Sequence, residues 1–279
     1  MAASDTLGAD SRSTTGGGGP NMTARAPRGG DPKHIDVRQY SLAQILAVWA
    51  AAAIPMGVLA WIVAPLLRDQ LEGEDPFAQA LLVCITAGLI WQFVLVVLLV
   101  RLELGTLRWS RVREALWLRA PRDPRTGRVG GRVWLWALLF IVLIALWQLV
   151  PAIPGPSPRD FTEFLSEDRG KDFFRGAWGW FAVVVVFSVF NTVLGEELLF
   201  RGLLLPRMRG VFGRRAWLAN GVLFGLYHLH QPWSIPKSIV SGMLYAYPTQ
   251  RFQSVWMGII VHSLQSVFAI IFVLIAVLD

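Results

Sequence analysis

The chain has 279 residues, 54% of them hydrophobic and only 16% charged, with a mean hydropathy of +0.49. Soluble globular chains carry about 25% charged residues, so this balance, with apolar stretches of about 20 residues recurring along the chain, excludes a soluble globule and makes lipid the main solvent. The net charge of +7 is nearly all arginine, without a basic module of the nucleic-acid-binding kind, and the single cysteine, Cys84, excludes a disulfide framework or a thiolate metal cluster within the chain.

Residues 1–40 are polar, contain glycine at every position from Gly16 to Gly19, and lack apolar periodicity. They read as a disordered tail on the cytoplasmic side, followed by a transmembrane domain over 41–279. The apolar runs predict an all-α, polytopic transmembrane helical bundle of about seven spans. The expected spans are Ser41–Leu67, Ala78–Val100, Val133–Ile153, Trp178–Phe200, Ala216–His230, Ile235–Tyr247 and Ser254–Leu278. The sixth is too short for a hydrocarbon core about 30 Å thick, so it must tilt or sit among longer neighbours.

Loop charge sets the expected orientation. The loop after the first span is acidic, with Asp69, Glu72, Glu74 and Asp75. The next loop is crowded with arginine from Arg101 to Arg132, and the loop after the fourth span holds Arg207, Arg209, Arg214 and Arg215. Basic loops stay cytoplasmic, which puts the N-terminus in the cytoplasm and the fourth span's cytoplasmic end at Phe200. Leu107, Trp109, Val112, Leu116 and Trp117 lie among the arginines of the long basic loop. That mix suits either an interfacial amphipathic helix or a solvated loop.

Polar residues inside a span are expensive and mark function. At the end of the fourth span stands Gly195-Glu196-Glu197-Leu198-Leu199-Phe200-Arg201. Glu197 and Arg201 are four apart and share a helix face, so they can pair. Glu196 points about a quarter turn away and is the better candidate for an unpaired base. The fifth span carries Asn220, Phe224 and His228 as one stripe, beside a small-residue stripe of Gly221 and Gly225. His230, at that span's end, reads as a wet interfacial residue. The seventh carries His262, with Gln265 and Ser266 on or near its face as hydrogen-bond donors. Taken separately, each residue could be packing glue. One polar pocket would satisfy all of them. There a glutamate and a histidine could hold and deprotonate a water, and a second histidine with a neighbouring donor could stabilise an oxyanion. Glu196, His228 and His262 could instead hold a divalent metal such as zinc. Gln92 and Gln148 read as interhelical hydrogen-bonders.

The ordered set E-E-x-x-x-R, F-x-x-x-H and H-x-x-x-S across late apolar helices resembles the CPBP family, which includes type II CAAX prenyl endopeptidases and bacteriocin-immunity membrane proteins. The resemblance covers residues 178–270 and implies an intramembrane endopeptidase acting on a protein or peptide substrate at the bilayer. It implies that Glu196 and His228 activate the water and that His262 stabilises the transition state. Ser266 stands where the family has asparagine, and Gln265 could extend to the same oxygen. Glu197, Arg201 and Phe224 have supporting roles. Both a metal-assisted and a metal-free mechanism are implied. The expected location is a bacterial plasma membrane. A non-catalytic membrane interaction or immunity protein of the same fold is the rival reading, and a small-solute transporter a third.

Overall fold

A computed structural model describes residues 37–279. The expected tail therefore lies outside the described residues, except for 37–40. Those four residues are not free of the fold, because Tyr40 is buried and its backbone N–H donates to the Arg207 carbonyl at 3.0 Å.

The described residues are helical, with one isolated antiparallel bridge, Arg122 to Val129, and no strand. We label the helices α1 Leu42–Arg68, α2 Pro76–Leu104, α3 Trp109–Ala115, α4 Gly131–Gln148, α5 Phe161–Ser166, α6 Asp168–Phe174, α7 Trp178–Arg207, α8 Ala216–Tyr227, α9 Ile235–Phe252 and α10 Val255–Leu278. Among the described residues, five helices (α1, α2, α4, α7 and α10) are long and apolar enough to cross a membrane. The protein is an integral membrane protein. The remaining two expected spans, α8 and α9, are shorter or more polar, and they pack among the long ones.

Local chemistry sets the boundaries. Ser41 and Gln44 form a capping box that starts α1. Asp75 caps α2 by accepting from Ala78 N at 3.0 Å, and Gly105, with φ +66°, ends it. The long basic loop does form a short helix, α3, with Trp109 exposed and Leu116 and Trp117 buried beyond it. Two expected boundaries shift for identifiable reasons. The fourth span does not stop at Phe200 but runs on as α7 to Arg207, because its arginines are neutralised inside the protein. Arg201 pairs with Glu197, and Arg207 forks onto Glu103 of α2 at 2.6 and 3.0 Å. The sixth span continues past Pro248 to Phe252, a helix about 27 Å long at ~1.5 Å per residue. Pro248 is tolerated there, and the Thr249 hydroxyl donates to the Tyr245 carbonyl at 2.9 Å.

Two features place the site. First, α8 and α9 approach closely through glycine. A Cβ at Gly225 would come within 2.8 Å of the Ile239 backbone nitrogen, and one at Gly221 within 2.7 Å of that of Met243. Second, α7 is wound with i→i+5 hydrogen bonding through Phe190–Gly195 and again through Glu197–Leu204. Such wide turns are rare, and they occur frequently at functional sites.

Candidate active site

The two adjacent glutamates of α7 have different surroundings. Glu197 is fully buried, and its Oε1 lies 2.9 Å from Arg201 Nη1 and 3.1 Å from His262 Nδ1 of α10. Arg201 is also fully buried. It donates through Nη2 to the Gly242 carbonyl of α9 at 3.1 Å, and its guanidinium lies 4.1 Å from the centre of the Phe224 ring. A buried ion pair recovers its desolvation cost only with such additional partners. Glu197 is thus fixed by the pair expected from its spacing to Arg201, and also by a histidine from another helix. Gly258 of α10 is where that carboxylate packs, since a Cβ there would collide with Glu197 Oε2 and come within 2.7 Å of Thr249 Oγ1.

Glu196 is nearly fully buried and belongs to no ion pair among the described residues, and the Tyr227 hydroxyl is its side-chain hydrogen-bond partner. It lines a cavity of about 590 Å³ together with Phe224, Tyr227, His228, Tyr245, His262 and Gln265. So the structure brings Glu196, His228 and His262, from α7, the end of α8 and α10, to one cavity. The imidazoles of His228 and His262 flank the Phe224 ring, with centroids 4.9 and 6.0 Å from its centre.

Hydrogen-bond direction fixes what each imidazole offers. His228 Nδ1 lies 2.8 Å from the Phe224 carbonyl, which can only accept, so Nδ1 carries the proton and Nε2 presents a lone pair. His262 Nδ1 faces the Glu197 carboxylate and likewise donates. A neutral His262 therefore has its N–H turned away from the cavity. The stabilising N–H expected of it exists at Nε2 only in the imidazolium form.

The candidates on α10 separate. Gln265 lines the cavity and accepts from the Tyr245 hydroxyl at 2.8 Å. Ser266 is buried and is not among the cavity-lining residues, because the helix rotates it toward its neighbours instead. His230 is not the wet interfacial residue its position suggested. It is 7% exposed, lines the cavity and stacks on His228 with ring centroids 5.4 Å apart.

Several lining residues carry no motif. Tyr227 is fully buried, and its hydroxyl accepts from Gln92 Nε2 of α2 at 2.5 Å. Gln92 is thus the interhelical hydrogen-bonder anticipated. Tyr245 stacks on His262 at 4.5 Å and 16°. An aromatic residue in an apolar helix gives no signal of this from sequence. Asn191 on α7, and Lys237 and Ser241 on α9, are polar lining residues whose cost in a span could have flagged them.

A metal was the alternative use for Glu196, His228 and His262. Among the described residues, no group of three His, Cys, Asp or Glu side chains converges closely enough to hold an ion. As arranged, the trio does not fit a metal site.

The comparisons bear on the same stretch. Residues 178–268 match the family described as Rce1-like, type II CAAX prenyl endopeptidase Rce1-like. That segment is similar to an Rce1-like domain. It runs from the start of α7 to Phe268 in α10 and so contains every residue of the polar cluster. The match supports an intramembrane protease family of the CAAX type, consistent with the CPBP resemblance. Neither the curated proteins nor the solved structures hold a significant match to the chain.

Proposed function

We propose that the Rce1-like domain hydrolyses a peptide bond within the membrane by a water that Glu196 activates. The observation that carries this reading is the division between the neighbouring carboxylates. Glu197 is consumed by Arg201 and His262, whereas Glu196 faces the cavity with no cation paired to it and only the Tyr227 hydroxyl beside it. A carboxylate held in that way can accept a proton. The water gives one proton to Glu196, while its other hydrogen donates to His228 Nε2, which orients the oxygen lone pair toward the scissile carbonyl. The C–O bond forms, the carbonyl oxygen takes the negative charge, and Glu196 returns the proton to the amide nitrogen as the C–N bond breaks. His262, held by Glu197 and Tyr245, forms the opposite wall.

The substrate is a protein or peptide segment entering from the bilayer or its surface. The test uses quenched-fluorescent peptides ending in a CAAX tetrapeptide, with and without a farnesyl thioether on the cysteine, in lipid nanodiscs. Glu196→Gln and His228→Ala should each lose about 100-fold or more in kcat, the range for removing a general base, with unfolding midpoints close to the parent's. Cleavage at the parent rate by both variants would overturn the reading. It would favour a non-catalytic interaction or immunity protein of the same fold.

A further inference from the structure

The hydrolytic reading needs a donor for the oxyanion, and among His228, His262, Gln265 and Ser266, the residues the motifs offer for it, the hydrogen bonds narrow the choice. In the neutral site His262 spends its one N–H on Glu197. His228 spends its own on the Phe224 carbonyl. Ser266 does not line the cavity. Gln265 does, and its carbonyl oxygen is occupied by the Tyr245 hydroxyl. A primary amide has one acceptor end and one donor end. With the acceptor end taken, the NH₂ is the end left to face the cavity.

We propose that Tyr245 is a positioning residue for this reaction, acting through Gln265. Its hydroxyl, by donating to Gln265 Oε1, sets which way the amide points and presents Nε2 as the oxyanion donor. Its ring, stacked 16° from parallel on His262 at 4.5 Å, holds the neighbouring wall at the same time. The ring itself is fixed, since Tyr245 is fully buried in α9 and Arg201 lies 5.2 Å from its centre. The amide alone could flip about its last torsion with little cost, because such sp³–sp² torsions are broad. One hydroxyl thus turns an ambiguous side chain into a directed donor, and preorganised donors are what stabilise an oxyanion. The inference rests on the hydrolytic reading of the same cavity.

The variants are Tyr245→Phe, which keeps the stacked ring and removes only the hydroxyl, Gln265→Leu, which keeps the volume and removes the amide, and the two combined. The readouts are kcat and KM on the quenched CAAX peptide. Gln265→Leu should lower kcat about 100-fold, the loss seen when an oxyanion donor is removed. Tyr245→Phe should lower kcat about tenfold, the equivalent of one orienting hydrogen bond, with KM unchanged. In the Gln265→Leu background, Tyr245→Phe should cost nothing further, which a merely structural tyrosine would not show. Parent kcat in Gln265→Leu, or an equal loss from Tyr245→Phe in both backgrounds, overturns the proposal. So does a loss in Ser266→Ala with none in Gln265→Leu. Should Tyr245→Phe fail to fold, Gln265→Leu alone decides. Parent-like cleavage by Glu196→Gln would instead mark failure of the hydrolytic reading itself. A protein that needs Glu196 but not the Tyr245 hydroxyl sinks this inference alone.

Discussion

Arg201 donates to the backbone carbonyl of Gly242 at 3.1 Å, and so ties the charged turn of α7 to the middle of α9. The same guanidinium neutralises Glu197 and covers the Phe224 ring. Arg201→Met leaves a buried carboxylate with no cation beside it and only the His262 bond, and removes a donor from the Gly242 carbonyl. Removing one partner of a buried pair costs about 3–5 kcal/mol. The expected outcome is a marked fall in the thermal midpoint of the purified protein. Glu197→Gln with Arg201→Met together should recover part of it, because the stranded charge is gone. A single variant as stable as the parent would show that the pair is dispensable.

Glycine at the α8–α9 contact has a different role from glycine elsewhere. Gly225→Ala forces a methyl against the backbone of Ile239, which cannot swing aside, and should destabilise by about 1–3 kcal/mol. Gly57 in α1 has nothing within 4 Å of a built Cβ, so Gly57→Ala should be neutral or stabilising by up to about 1 kcal/mol. Thermal unfolding of the two variants side by side checks the contrast. Since Phe224 and His228 ride on α8, Gly225→Ala should also depress cleavage where Gly57→Ala does not.

Asp75 joins α2 to the segment that covers one end of the cavity. It caps α2 through Ala78 and meets Arg169 Nε of α6 at 2.6 Å. Arg169 is half exposed, so the ion pair adds little to stability, and the cap is the larger effect. Asp75→Ala should cost about 1 kcal/mol. It should also speed limited proteolysis between Phe161 and Phe174. Unchanged cleavage by the protease would mean that other contacts hold that segment.

Outside the spans, the turn after α3 has a pH-sensitive element. Asp123 accepts from the Arg125 backbone N–H and the Thr126 hydroxyl, both at 2.9 Å, and these bonds, the Arg125 one foremost, hold its carboxyl below the usual range. A group whose folded pKa is depressed contributes stability above its unfolded value and loses it as pH falls through the folded one. The Gly127 amide donates to the Asp123 carbonyl at 2.8 Å. Its hydrogen-exchange protection should therefore hold at neutral pH and fall only below the ordinary carboxylate range. In Asp123→Asn it should be reduced at every pH.

The parts of this molecule legible in the sequence are those governed by short-range geometry. Apolar run length located α1, α2, α4, α7 and α10, because a bilayer imposes one length on any helix that crosses it. The Glu197–Arg201 pair followed from a spacing of four residues along one helix. The bond from His262 to Glu197, 65 residues apart in the chain, did not, since it depends on how α10 is rotated against α7. The same rotation brings Gln265 rather than Ser266 to the cavity. His230 was misplaced because distance along a helix says nothing about a chain that turns back to cover the pocket. The sixth span was expected to end at Tyr247, although α9 continues through Pro248 to Phe252. Tyr245 carries its partners only in three dimensions.

The wide winding of α7 has a mechanical corollary. Each wide turn absorbs a residue that regular α winding would count as an additional step of about 100° around the axis. Relaxing one such turn would swing everything downstream like a key in a lock, carrying Arg207 off Glu103 at the far end. The tilt of the Glu196 carboxylate and the anchoring of the helix's last turn are thus a single geared setting, and rewinding a wide turn to regular α geometry while keeping its extra residue would be felt at both.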